Sequence, residues 1–400
     1  DIEISKIVVS PTNTDTTAPT LSGVTLASNN SDTTMAKAGD SVILTFTADE
    51  PIRTPSVSFE SGGAAISATP SYDNITGETW TATYVVNSND TAGAVTYSIA
   101  FGDTKKGTNN AGTAVTSGTG SVSIDNTAPT LASVTAISTP SASVTPSFVF
   151  SSDEAGTITT SISEGFSTSS SAAAGSNTIT FNALGEGTYS GKTVTVTDAT
   201  GNATSLTIPD FVIDLSGPTM TISSSTVSDG ASSNDDSIAL TFTSSEVTTD
   251  FDESDITESG GSISNFSGSG TSYSATFTPT ADGATAIDVA ANAFTDFLGN
   301  NNSAASQFNW TYDGTAPTLA SVTAVSTPGN DSTPSFVFSS DEAGTISSNM
   351  SEGFLTSTSA SSGNNTITFN TLDDGTYSGK TITVTDSVGN ANSLTIPDFV

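Results

Sequence analysis

Apolar residues along this chain alternate with serine and threonine at a period of two. Val42, Leu44 and Phe46 are interleaved with Ile43, Thr45 and Thr47, and Ile238, Leu240 and Phe242 repeat the pattern. Trp80, Ala82 and Tyr84 alternate with threonines. So do Ile179 with Phe181, Val194 with Val196, and Phe308 with Trp310 and Tyr312. Successive strand residues point to opposite faces, so this pattern predicts antiparallel strands with one buried face and one wet face. Turn-forming runs separate them: Gly185-Glu186-Gly187, Asp373-Asp374-Gly375, Ser259-Gly260-Gly261 and Ala281-Asp282-Gly283. About seven short strands per hundred residues fit an immunoglobulin-like sandwich.

The pattern also repeats on a longer scale. Thr127–Val212 recurs as Thr315–Val400 without a gap, at a constant offset of 188 residues and about three-quarters identity. Phe148 and Phe150 return as Phe336 and Phe338. A fixed-period repeat marks an array of modules. A shorter motif, Asp-x-[Thr/Ser]-[Ala/Gly]-Pro-Thr, begins at Asp15, Asp125, Asp214 and Asp313. Its proline lacks an amide donor and fixes φ, which makes a short, stiff joint between modules. The expected domains are 16–124, 127–213, 216–312 and 315–400, after an N-terminal strand and linker over 1–15. The fold expected is all-β: four tandem immunoglobulin-like β-sandwiches in an extended rod. Strands of seven or eight residues span about 25 Å, so with loops and linkers the rod should reach very roughly 150 to 180 Å.

Composition narrows the chemistry. The chain has no cysteine and no histidine, which removes disulfides, thiolate nucleophiles, imidazole bases and Cys/His zinc sites. Seven Lys plus Arg stand against 41 Asp plus Glu, a formal charge of −34. Such a surface repels phosphate backbones and anionic lipid, so neither nucleic acid nor membrane insertion is expected. No apolar run is long enough to span a bilayer. No signal-peptide pattern opens at Asp1, which fits a mature form, a fragment, or export without an N-terminal signal.

The acids recur by position. After the strand that carries the buried phenylalanines come Asp49-Glu50, Asp153-Glu154, Glu246 and Asp341-Glu342. Near each module's end lies an Asp-x-x-Gly-Asn turn: Asp198 to Asn202, Asp296 to Asn300 and Asp386 to Asn390. The first module has a looser version, Asp103-Thr104-Lys105-Lys106-Gly107. In the expected sandwich the loop after strand B and the F–G turn share the end where the linker enters. The predicted sets are therefore Asp15, Asp49, Glu50 and Asp103; Asp125, Asp153, Glu154, Asp198 and Asn202; Asp214, Glu246, Asp296 and Asn300; and Asp313, Asp341, Glu342, Asp386 and Asn390. Converging carboxylates repel, and a hard cation with flexible all-oxygen ligation, Ca²⁺ before Mg²⁺, relieves that repulsion. The competing reading is that Asp and Gly-Asn are ordinary turn formers.

The Asp-x-Thr-Ala-Pro-Thr joints, the Ser-Asp-Glu-Ala-Gly loops (152–156 and 340–344) and the Asp-x-x-Gly-Asn turns resemble bacterial immunoglobulin-like repeats of large surface adhesins and biofilm-associated proteins. Asp255-Ile256-Thr257, Gly260-Gly261, Asn265-Phe266, Thr276-Phe277-Thr278-Pro279 and Asp288-Val289-Ala290 resemble a common repeat of those adhesins. The resemblance implies a secreted, extracellular stalk with calcium at its joints. The stalk would project a binding region toward an unidentified surface or glycan, with neighbouring repeats of the same chain as its immediate partners. The repeat stops at Val400, just before the next linker Asp, so further modules are expected to follow.

Other functions fit less well. Without His or Cys, catalysis would need a carboxylate pair as in glycosidases, but the acids here recur at joints, so no enzyme is expected. Thr193, Thr195 and Thr197 could form a sugar- or ice-binding ladder, or simply the wet face of a strand. Asp250, Asp252, Glu253 and Asp255 resemble a calcium loop but lack the glycine an EF-hand needs. The rival of a different class is a self-assembling filament or surface-layer subunit. In that reading Asp1–Ser10, with Ile2, Ile4, Ile7, Val8 and Val9, inserts into an identical subunit.

Overall fold

The computed structural model describes residues 15–104 and 110–400. The Asp1–Ser10 strand and the Lys105–Gly107 part of the first loop lie outside the described residues. Two compact units, Asp1–Asp214 and Leu215–Val400, divide the chain. Among the described residues the regular secondary structure is nearly all strand, arranged as tandem immunoglobulin-like sandwiches. The exception is a 3-10 turn at Glu253–Asp255.

In the first unit, the alternation seen in the sequence becomes a sheet ordered Leu21–Ser28, Ser41–Ala48, Thr79–Val85, Ser71–Asn74. Val42, Leu44 and Phe46 are wholly buried and face a second sheet that supplies Val57, Phe59 and Ile99. That second sheet contains the short parallel pair Met35–Ala36 and Ser123–Ile124. The next sandwich sets Leu131–Thr135, Ser147–Ser152 and Gly175–Thr180 against Ser171–Ala172, Gly156–Thr160, Thr193–Thr197 and Ala203–Thr207. Phe148, Phe150, Ile179, Phe181, Val194 and Val196 close its core at zero exposure. A two-stranded sheet, Gly187–Tyr189 with Phe211–Ile213, seals one end. The threonines of Thr193–Thr197 are partly exposed, and Thr195 bonds Ser205 across the strand pair at 2.7 Å.

In the second unit, Met220–Ser224, Ile238–Thr248 and Gly261–Pro279 form one sheet, and Ser232–Ser233, Phe308–Tyr312, Gly283–Val289 and Ile256–Ser259 the other. Phe251 gathers the rings of Phe242, Phe266, Tyr273 and Phe294 within 5.8 Å of its own centroid. The Asp250–Asp255 run is a capped turn. Asp252 and Asp255 bond each other's backbone amides, and Asp250 accepts from Thr248 and Thr295. The last core repeats that of the second sandwich, with Phe336, Phe338, Ile367, Phe369, Ile382 and Val384 at zero exposure. Its registers match pair for pair: Phe338 faces Asn365 as Phe150 faces Asn177.

Candidate metal centres

The Asp-x-x-Gly-Asn turn is folded around its first carboxylate. Asp198 is buried, and its Oδ1 accepts from the amides of Gly201 at 2.6 Å and Asn202 at 2.8 Å. Asn202 Nδ2 donates to Asp198 Oδ2 at 2.9 Å and to the linker carbonyl of Asp125 at 3.0 Å. The loop closes only because Gly201 takes a φ of +93°, a region side chains disfavour. Asp386 and Asn390 rebuild the arrangement, with Asn390 Nδ2 at 2.7 Å from the Asp313 carbonyl. Asp296 and Asn300 do so as well, with bonds of 2.9 Å from both the amide and the side chain of Asn300.

Asn202 and Asn390 therefore clamp their turns to the linker through their Nδ2 groups. The first module uses a residue that spacing rules do not find. Asn110, seven positions from Asp103, donates to Asp103 Oδ2 at 3.3 Å and to the Asp15 carbonyl at 3.0 Å. Its own carbonyl accepts from the Asp103 amide, as Asn202 does from Asp198. A longer loop hides the equivalence.

The paired acids after strand B separate into two roles. Asp49 accepts from Thr20 N at 2.8 Å, Asp153 from Thr130 N at 2.6 Å and Asp341 from Thr318 N at 2.6 Å. Each pins the threonine of the Pro-Thr joint, and those bonds hold all three carboxyls below the usual aspartate range. These three are not members of the carboxylate triads. In the third module Ser245 Oγ accepts from Thr219 N at 2.9 Å. A hydroxyl thus performs the pinning there, which explains why that set has one acid fewer.

The second acid of each pair turns inward. One carboxylate oxygen each from Asp125, Glu154 and Asp198 lies within 4.8 Å of the others, as do those of Asp15, Glu50 and Asp103, and of Asp313, Glu342 and Asp386. These groups could hold a metal ion. Glu154 is pushed up by burial and then by the charges of Asp125, Asp198 and Asp153. Glu342 is pushed up by burial and then by Asp313, Asp341, Asp386 and Asp282. The donor set is all oxygen and mutually repulsive, which suits a hard divalent cation. Of the remaining set, Asp214 ends the first unit with its amide on Ser141 O at 3.0 Å. Glu246 is half-buried and Asp296 buried in the second unit.

Within each unit, the module before a centre also reaches its turn. Asn30 Nδ2 donates to Thr200 O at 3.0 Å, and Lys37 Nζ to Gly201 O. In the second unit Asn234 Nδ2 donates to Asn390 Oδ1 at 3.0 Å, and Asp282 accepts from Gly314 N at 2.7 Å.

Residues 214–312 match the family model described as bacterial Ig-like domain. Among solved structures, one similar chain is a tetra-tandem repeat from the extending region of a large adhesion protein. It is 19% identical, with 92% of this chain and 97% of that chain covered and a TM-score of 0.27. Another is invasin, a bacterial integrin-binding protein, 13% identical over 95% of this chain and 79% of that one, with a TM-score of 0.34. No curated protein matches the chain. No described helix is long and apolar enough to cross a membrane.

Proposed function

We propose that the chain is a non-catalytic, extracellular stalk segment of a large bacterial surface adhesin, with sandwich domains at 16–124, 127–213, 216–312 and 315–400 and Ca²⁺ at its joints. One observation carries this reading: a linker aspartate, a glutamate after strand B and the aspartate of the F–G turn meet in the same triad in three modules. Turn formation alone accounts for Asp198 and Asp386, whose oxygens accept amide protons. It does not account for Glu154 and Glu342, which burial and like charges push toward protonation.

Asp15, Glu50 and Asp103, then Asp125, Glu154 and Asp198, then Asp313, Glu342 and Asp386 would hold the ions. Bound cations would supply the charge these carboxylates lack and tie linker, loop and turn together. Extracellular Ca²⁺ modules bind at roughly 10⁻⁴–10⁻³ M. At ten to a hundred times Kd each site adds about 1.4 to 2.7 kcal/mol. The mechanical effect is that a joint hinged on one linker gains a second tie. Small-angle scattering in millimolar Ca²⁺ and then in excess chelator tests this. An extended particle that becomes flexible on chelation is expected. Identical profiles, with no calorimetric Ca²⁺ binding, would leave the triads as turns.

A further inference from the structure

The joint inside each unit is built on the same backbone frame. Ala36 O accepts the Asp125 amide at 2.9 Å, and Ser233 O accepts the Asp313 amide at 3.1 Å. Gly93 faces Ile124, and Gly283 faces Tyr312. Lys37 and Asn234 therefore occupy one place and Ala92 and Asp282 a second. Asn126 and Gly314, which follow the linker aspartates, occupy a third.

The side chains on that frame differ. In the first unit Lys37 Nζ donates to Gly201 O, and Asn30 Nδ2 to Thr200 O at 3.0 Å. Asn126 plugs back into the preceding module. Its Oδ1 accepts from Ala38 N at 2.7 Å, and its Nδ2 donates to the carbonyls of Asn87 at 3.1 Å and Asp90 at 3.3 Å. The turn around Asp198 is correspondingly covered, with Thr200 2% exposed. In the second unit Gly314 brings no side chain, and one would collide with the Tyr312 hydroxyl, which donates to Asp236 at 3.0 Å. The neutral Asn234 amide stands in place of the Lys37 ammonium, on Asn390 Oδ1 at 3.0 Å. A carboxylate is added: Asp282 accepts from Gly314 N at 2.7 Å and from Thr315 Oγ1. This turn is more open, with Val388, the residue aligned with Thr200, only half-buried and Gly389 exposed. An aspartate before the strand, Asp40 or Asp236, is common to both joints and does not distinguish them.

We infer that the two joints answer differently to the cation: Lys37 and Asn126 hold the first closed without it, and Asp282 makes the second depend on it. A carboxylate added beside Asp313, Glu342 and Asp386 increases the repulsion that a bound cation relieves, and so raises the affinity for one. An ammonium on the turn that wraps Asp198 does the reverse, while tying that turn to the preceding module directly. The Asp313 centre therefore fills at the lower Ca²⁺ concentration, and its filling is what fixes its joint. This inference rests on the reading of the triads as Ca²⁺ centres.

The chain has no cysteine, so spin labels can be placed in pairs on all 400 residues of it. Thr96→Cys with Thr178→Cys spans the first joint, and Thr257→Cys with Thr366→Cys the second, all at exposed strand positions. Pulsed electron paramagnetic resonance then reads the distance distribution across each. In chelator a narrow distribution is expected across the first joint and a broad one across the second, which Ca²⁺ narrows. Lys37→Asn should broaden the first in chelator. Asp282→Asn, which keeps an oxygen for the Gly314 amide, should raise the Ca²⁺ concentration that narrows the second about fivefold. Joints that behave alike in chelator, with calorimetric Ca²⁺ binding intact, overturn the inference and leave the calcium reading standing. So does a first joint unmoved by Lys37→Asn. A chain that binds no Ca²⁺ in the calorimeter overturns both.

Discussion

At the scale of single residues, neighbouring acids do opposite work. Asp153 is held low by Thr130, so the stability it gives is present above the ordinary aspartate range and is lost as pH falls through its folded value. Glu154 is pushed up, first by burial and then by like charges. Its ionised form opposes folding, so in chelator stability should rise as pH falls through its folded value, above the ordinary glutamate range. Glu154→Gln should therefore raise the melting temperature in chelator and remove one Ca²⁺ from the calorimetric stoichiometry. Asp153→Asn should lower the melting temperature and leave the stoichiometry intact. Asn110→Ala should lower the first centre's Ca²⁺ affinity by freeing the Asp103 turn from the linker carbonyl. A titration that shows unchanged affinity would remove Asn110 from the site. The sequence showed the acids and their recurrence. It did not separate Asp153 from Glu154, because which oxygen meets an amide depends on the path of the chain, and it missed Asn110 because the loop is longer.

Among the strands, period-two alternation was sufficient wherever a strand has one wet face. Ser41–Ala48 and Ile238–Thr248 bury the side predicted. Two-residue strands such as Ser171–Ala172 and the parallel pair Met35–Ala36 with Ser123–Ile124 were not readable, since two residues carry no period. Close packing sets the tolerances. A Cβ on Gly156 would meet Thr197 O at 2.5 Å and Val196 Cγ1 at 2.7 Å, and one on Gly344 would meet Thr385 O at 2.5 Å. Gly156→Ala or Gly344→Ala should cost about 1–3 kcal/mol by overpacking. Phe148→Ala or Phe336→Ala, each in a separate core, should cost about 3–5 kcal/mol. The double variant should lose the sum in chemical denaturation, because the two sites share no partner.

For the molecule as a whole, the formal charge of −34 makes self-repulsion a property of the entire chain. In chelator, melting temperatures should rise with added monovalent salt as the carboxylates are screened. With Ca²⁺ bound, that salt dependence should flatten. A slope unaffected by Ca²⁺ would mean that the triads are not where the charge is neutralised. The duplication and the joint motif were plain in the sequence because repetition and proline leave linear traces.

The duplication also bears on how the chain reaches its native state. Ser147–Ser152 pairs with Gly175–Thr180, yet the nearly identical Gly363–Thr368 would fit the same register. From Ser152 the native partner closes a loop of about 23 residues, and the twin closes one of about 211. Loop-closure entropy favours the near partner by about 2 kcal/mol before any side chain packs. The dissimilar sandwich between the copies sets that distance, so an emerging strand meets its proper mate before its double has been synthesised. Strand exchange between twins, a characteristic failure of repeat proteins, is thereby disfavoured by the order in which the modules are strung.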